Sequence, residues 1–252
     1  MPPKCAFCHR PADSGEHLWD AWICRLPIFV GKEFIFNERI TPSDPERQWP
    51  AKRMDRKKKT VCEKCNNEWM SDIVNNHSKP CMKNMIVSGD PIAIDPTCLI
   101  SIAIFSFLKS VICDHAPPNQ KPFFSKATRY EFRRSLSLPR TQIWVGCLSQ
   151  FHSHHSICRM KYGWFIPHAK VGVGYRLYAF TWGVGRFFLQ MLAFKSKSTR
   201  FRRQPVPLID QGPFWDQYAI PIWPRVSTPV LWPPAKHLSS ALVNQFANRF
   251  TP

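Results

Sequence analysis

The sequence predicts an α+β fold in two parts, a small cysteine-stapled N-terminal module over residues 1–90 and a mixed α+β domain over residues 91–252. Three observations carry that reading. Four cysteines stand as two CxxC pairs, both inside the first seventy residues. Helix-spaced and strand-spaced apolar patterns alternate after residue 96 instead of one pattern filling the chain. Between the two parts lies Ser88-Gly-Asp-Pro-Ile-Ala-Ile-Asp-Pro96, a turn-rich segment suited to a linker.

The elements follow in order. A turn, Pro11-Ala-Asp-Ser-Gly15, leads into Glu16-His17 and a strand-like run, Leu18-Trp-Asp-Ala-Trp22-Ile. Residues 37–60 read as a polar, Pro-containing loop that ends in a cationic run. After Cys65, the pairs Trp69/Ile73 and Met70/Val74 have the four-residue spacing of a helix face. Thr97 is placed to cap a buried helix running to about Cys113, and Ser125 to Leu136 fits a second helix closed by Pro139. Gln142–Leu148, Ser156–Ile166 and Val173–Phe180 are rich in β-branched and aromatic residues and read as strands, while Gly183–Phe194 fits strand or helix. A Pro- and Trp-rich segment (205–234) precedes an amphipathic helix marked by Leu238, Leu242 and Phe246.

Composition narrows the function. Lys and Arg number 35 against 17 Asp and Glu, a net charge of +18, which favours a polyanionic partner because cations near phosphates release condensed counterions. The cations cluster at Lys52, Arg53, Arg56, Lys57, Lys58 and Lys59, and again at Arg200, Arg202 and Arg203. These are the expected phosphate contacts, with Phe201 available for base stacking. No apolar leader follows Met1, and the longest apolar run, Cys98 to Leu108, stops at Lys109, short of a bilayer's thickness. The expectation is an intracellular, cytoplasmic protein with no membrane association, whose ten Cys are thiols or metal ligands rather than a disulfide framework. Cys24, Cys81, Cys98, Cys113 and Cys147 read as small core residues.

Each CxxC pair can hold one Zn²⁺ through two thiolates, so Cys5, Cys8, Cys62 and Cys65 predict a closed tetrahedral, structural site. His9 is a weaker alternative ligand. Glu16-His17 follows the first pair and Asn66 follows the last Cys directly, at the head of the expected helix. Packing the two segments around zinc brings an acid, an imidazole and an amide to one cleft. A carboxylate and an amide oxygen are hard donors suited to Mg²⁺ or Mn²⁺, and a neighbouring His can take a proton from water. Asn66 as a mere helix cap is the competing reading. His77, eleven residues on, lies about 16 Å further along a helix axis and is too distant to share that cation. The cluster His152, His154, His155 and Cys158 reads as incidental to a loop or strand.

The order CxxC…EH…CxxCN, with the phrase Cys62-Glu-Lys-Cys65-Asn66-Asn67-Glu68-Trp69-Met70-Ser71, resembles HNH endonucleases of the ββα-metal class, in a bacterial and phage branch with zinc-stapled modules. The likeness is specific over about residues 1–80. It implies a treble-clef-like ββα-metal module, with His17 as general base, Glu16 and Asn66 as ligands of one catalytic divalent ion, and the four Cys as structural zinc ligands. It implies DNA hydrolysis to 3′-hydroxyl and 5′-phosphate ends. Three positions depart from the pattern. The middle Asn is missing, with Arg56 to Thr60 in its place; Asp20 replaces a Pro; Val74 stands where the helix of this branch carries Glu. These departures frame the alternative, a catalytically inactive, zinc-stapled nucleic-acid-binding module. A protein adaptor built on the same zinc site is a third reading.

Overall fold

In the computed structural model, which describes residues 3–38, 47–115, 121–149, 157–165, 175–196, 212–224 and 227–248, the chain is a mixed α+β protein. The alternating apolar pattern after residue 140 closes into one antiparallel sheet. Its strands are β6 (Thr141–Cys147), β7 (Ile157–Phe165), β8 (Tyr175–Val184), β9 (Phe187–Ser196) and β10 (Ala219–Trp223), in the order β10-β6-β9-β8-β7. The ambiguous segment 183–194 is therefore strand. Gly185, at φ +58°, makes the turn that folds β9 back on β8.

Successive side chains of a strand point to opposite faces, and this sheet uses both. Ile143, Val145, Phe187, Leu189 and Met191 enter one core, whereas Trp144, Phe188, Leu192 and Phe194 enter another. The second core is covered by α7 (Ser240–Asn248) through Val243 and Phe246. That helix starts after Leu238, which instead forms a β-bridge to Leu148. Gln190 is the one polar side chain buried mid-strand in β9. Its amide nitrogen donates to Thr181 Oγ1 (3.1 Å) and the Phe246 carbonyl (3.3 Å), which offsets the cost of burying the donor, while Oε1 finds no partner among the described residues.

The first core is covered by α4 (Pro96–His115), twenty residues long. Asp95, not Thr97, caps it, with Oδ1 accepting from the Cys98 N–H at 2.9 Å. The run expected to be short is thus part of a helix long and apolar enough to cross a membrane, yet 72% of its most apolar window is buried inside the protein. It packs against β9 and β10 on one side and against the N-terminal helix on the other. The helix α5 (Lys126–Ser135) begins at Ser125, whose Oγ accepts from Thr128 N–H, and ends at a left-handed Leu136.

The N-terminal elements are β1 (Ser14–His17), α1 (Ala21–Cys24), β2 (Phe34–Glu38), β3 (Arg47–Ala51) and β4 (Lys57–Val61). Strand β1 pairs antiparallel with β4, bringing His17 opposite Lys57, and β2 pairs with β3. Two expectations change here. The run after His17 is not a strand: pairing ends with the Leu18 N–H on the Arg56 carbonyl (2.9 Å), and the Ile23 and Cys24 N–H groups turn back to the Asp20 carbonyl to open α1. The 37–60 segment is not loop throughout, since it contains β3 and the start of β4.

From Glu63 the chain is helical to Val87, as α2 (Glu63–Cys65), two wide π segments (Asn66–Met70 and Ile73–Ser78) and α3 (Lys79–Val87). Pro80 has no N–H and its ring crowds the preceding turn, so the widening just before it has a local cause. Met70, Ile73 and Val74 are buried, as their spacing predicts, and Trp69 packs edge-on to Phe7 with ring centroids 5.0 Å apart.

The turn-rich segment 88–96 contains β5 (Ile92–Ile94), which pairs with β11 (Val230–Trp232), so residues far apart in sequence meet there. One apolar core runs from Cys5 and Phe7 through Met82 and Phe107 to Trp232. The turn also lays α3 against α4, with Cys81 and Cys98 joined as a disulfide, Cα atoms 5.4 Å apart. The expectation from the sequence that Cys81 and Cys98 are small core residues is thereby corrected, since they are bonded to each other. The pairing depends on two helices meeting, which residue spacing does not reveal.

Candidate metal centre and the adjoining cleft

Cys5 and Cys8 lie on a tight turn held by Cys5 N–H to the Arg10 carbonyl (2.9 Å) and Ala6 N–H to the Thr60 carbonyl (2.8 Å). Cys62 caps the following helix, its sulfur accepting from Cys65 N–H. The turn therefore sits on the helix start, and the four sulfurs lie within 4.8 Å of one another. Cys8 Sγ is 3.5 Å from Cys62 Sγ and 3.8 Å from Cys65 Sγ. A tetrahedral zinc site with Zn–S bonds of about 2.3 Å has sulfur–sulfur edges of about 3.8 Å, so the spacing fits zinc. Backbone N–H groups of Phe7 and Cys65 point at Cys5 and Cys62 sulfurs (3.5 Å each), the support expected for thiolates. The hydrogen bond from Cys65 holds Cys5 down to about 4, and the same contact pushes Cys65 up. His9 takes no part: its ring packs on Tyr130 and meets Lys126.

Beside this centre is a cleft of about 700 Å³, and Glu16, His17 and Asn66 all line it, with Lys57 and Val74. Its geometry comes from β1, β4 and the head of the helix. Asp13 Oδ1 accepts from Glu63 N–H (2.8 Å), tying the turn before β1 to the helix start. Asn66 lies one turn inside the helix, where its N–H bonds the Cys62 carbonyl, so it is not the N-cap. Its side-chain Nδ2 donates to Ser14 Oγ at 2.8 Å, which fixes the amide and leaves Oδ1 as the available acceptor.

His17 ends β1 and is held below the ordinary imidazole range, first by burial and then by the nearby positive charge of Lys57. At neutral pH it is an uncharged base. The segment beyond it is gripped by the large sheet. Trp182 Nε1 donates to the Leu18 carbonyl (3.1 Å), and Trp19 Nε1 to the Gly183 carbonyl (3.4 Å).

One residue that sequence reasoning named only as the end of an apolar run, Lys109, shapes the cleft together with Asp20. Lys109, 1% exposed, reaches from α4 to Glu16 Oε1 and Asp20 Oδ1, both at 2.6 Å, and to the His17 carbonyl at 2.9 Å. The signal was a single cation ending an eleven-residue apolar run, because a Lys on a buried face must find anions. Burial pushes the Asp20 carboxyl up to about 6 even though Lys109 opposes it, while those two carboxylates hold Lys109 well above the usual lysine range. Val74 is buried at the cleft wall. His77 is exposed and pairs with Asp72, away from the cleft lining.

Among the cationic runs, Lys52, Arg53, Lys57 and Lys59 are exposed, Lys58 is half-buried, and Arg56 lies over the Trp49 ring at 5.0 Å. Arg200, Arg202 and Arg203 lie outside the described residues, as do His152, His154 and His155. Comparison of the chain with protein-family models, with curated proteins and with solved structures finds no match.

Proposed function

We propose that the chain is a metal-dependent endonuclease of the HNH type, built on a treble-clef-like ββα-metal module with a structural zinc, that hydrolyses phosphodiester bonds in DNA. The observation that carries this reading is the meeting of Glu16, His17 and Asn66 in one cleft beside a four-sulfur centre. Carboxylate and amide oxygens make a donor set suited to Mg²⁺ or Mn²⁺. Glu16 and Asn66 would hold that ion, which when bound offsets charge on the phosphate and on the leaving oxygen.

His17, uncharged, accepts a proton from the attacking water as the water oxygen bonds to phosphorus. The bond from phosphorus to the 3′ oxygen breaks, and the leaving oxygen takes a proton from solvent, giving a 3′-hydroxyl and a 5′-phosphate. Lys57, across the strand pair from His17, stands where the middle Asn of the HNH pattern is expected. Its ammonium group would attract the phosphate and adds to burial in keeping His17 unprotonated. Lys52, Arg53 and Lys59, exposed in the same stretch of chain, add to the positive charge that would attract a polyanionic partner.

A second reading, a nucleic-acid-binding module without catalysis, is favoured by the apolar wall at Val74 and by the engagement of Glu16 Oε1 with Lys109. Nicking of supercoiled plasmid by zinc-loaded protein separates the two. We expect cutting with Mg²⁺ or Mn²⁺, none with EDTA, and a loss of about 10²–10⁴-fold in His17→Ala at equal zinc content. Salt-sensitive DNA binding without cutting by the wild type would establish the binding module instead.

A further inference from the structure

Lys109 lies outside the motif that suggests a nuclease, on a helix more than ninety residues along the chain from Glu16. Its ammonium nitrogen nevertheless touches three oxygens of the site segment: Glu16 Oε1, Asp20 Oδ1 and the His17 carbonyl. The Lys109, Glu16 and Asp20 side chains are buried, and Asp20 Oδ2 has no hydrogen-bond partner among the described residues. Stability alone is a poor reason for such a cluster. A buried ion pair seldom outperforms apolar residues of equal volume, and an unpartnered carboxylate oxygen adds a further cost. The cluster sits where it would set the position of the two residues flanking the chemistry.

We propose that Lys109, oriented by Asp20, is a positioning residue for the Glu16–His17 site. It clamps one oxygen of Glu16 and the His17 backbone, so that the second Glu16 oxygen faces the cleft in a fixed place for a divalent cation. Glu16 Oε2 has no hydrogen-bond partner among the described residues, as this role requires. Two carboxylates and one ammonium leave the cluster with one net negative charge. That charge attracts a divalent ion while repelling a phosphate less than two free carboxylates would. Because α4 packs on the five-stranded sheet, the clamp also makes the C-terminal part of the chain a component of the site. The role rests on the nuclease reading above.

The test is the double variant Lys109→Met/Asp20→Asn, which removes the clamp and keeps the single negative charge through Glu16. Zinc content and salt-dependent DNA binding verify the fold. Mn²⁺ binding, followed by electron paramagnetic resonance, and single-turnover plasmid nicking are then measured. Loss of positioning predicts Mn²⁺ binding weakened roughly 10-fold or more and nicking at saturating Mn²⁺ slowed about 100-fold, with DNA affinity unchanged. A double variant with wild-type Mn²⁺ affinity and nicking rate would overturn the role. Should it lose zinc, Lys109→Gln/Asp20→Asn, which retains polar groups at both positions, is judged by the same two numbers. Wild-type protein that neither binds Mn²⁺ nor nicks removes the nuclease reading and the clamp together. An active wild type with an unaffected double variant removes the clamp alone.

Discussion

Individual residues here carry tasks that their neighbours in sequence do not share. Cys8 Sγ lies 3.5 Å from Cys62 Sγ and 3.8 Å from Cys65 Sγ, and the Ala6 N–H ties its turn to the Thr60 carbonyl of β4. Four sulfurs this close repel one another once ionised, so a bound cation is worth folding free energy. Cys62→Ser should therefore lower bound zinc from about one per chain to none and unfold the N-terminal elements. Zinc analysis with circular dichroism checks this, and wild-type protein treated with a strong chelator should behave alike. A variant that keeps its fold without metal would show that the core alone supports this region. Lys109 is the complementary case. It is a charge that the apolar pattern of its own helix gave no reason to place beside Glu16, yet its contacts leave it no other surroundings.

At the level of elements, the contacts between parts of the chain are specific and tight. The β8–β9 turn rests on the end of α3: Arg186 N–H donates to the Ile86 carbonyl at 3.0 Å, and a Cβ on Gly185 would lie 2.3 Å from the same oxygen. The backbone there is left-handed as well, at φ +58°. Gly185→Ala should cost about 1–3 kcal/mol, read as a lower denaturant midpoint, by combining a strained conformation with a clash against backbone. Gly31, at φ +73° with open space around it, is the control: Gly31→Ala carries the strain without the clash and should cost less. Equal effects would mean that the turn moves freely off α3. The helix from Glu63 to Val87 illustrates the same dependence. Its Cys62 and Asp13 start, its π segments before Pro80 and its disulfide to α4 are each set by a different partner.

Over the whole molecule, a charge of +18 meets a cleft lined by Lys57, and Lys52, Arg53 and Lys59 are exposed in the same cationic run. If these cations track a nucleic-acid backbone, the logarithm of the binding constant falls linearly with the logarithm of salt concentration. Lys52→Ala/Arg53→Ala/Lys59→Ala should then flatten that slope by roughly 0.9 per cation that contacts duplex DNA. Binding with an unchanged slope would move the interface elsewhere on the surface. Fluorescence anisotropy over a range of salt concentrations distinguishes the outcomes, independently of whether the protein cuts.

The four-cysteine centre, the helix after Cys65 and strands β6 to β8 were legible in the sequence because each depends on local spacing, whereas β9 was left open between strand and helix and β10 was not marked. Two thiolates three residues apart can share one ion, and periods of two and near four mark strand and helix. The gathering of Glu16, His17 and Asn66 around one cleft was legible for a related reason, since the zinc ligands bracket Glu16 and His17 and Asn66 directly follows the last of them. Tertiary structure decided what depends on which elements meet. It ended β1 at His17, paired Cys81 with Cys98 and brought Lys109 to Glu16 and Asp20. Side-chain periodicity reports the environment of a residue's own element. The partner of a buried charge or thiol is chosen by packing between elements distant in the chain.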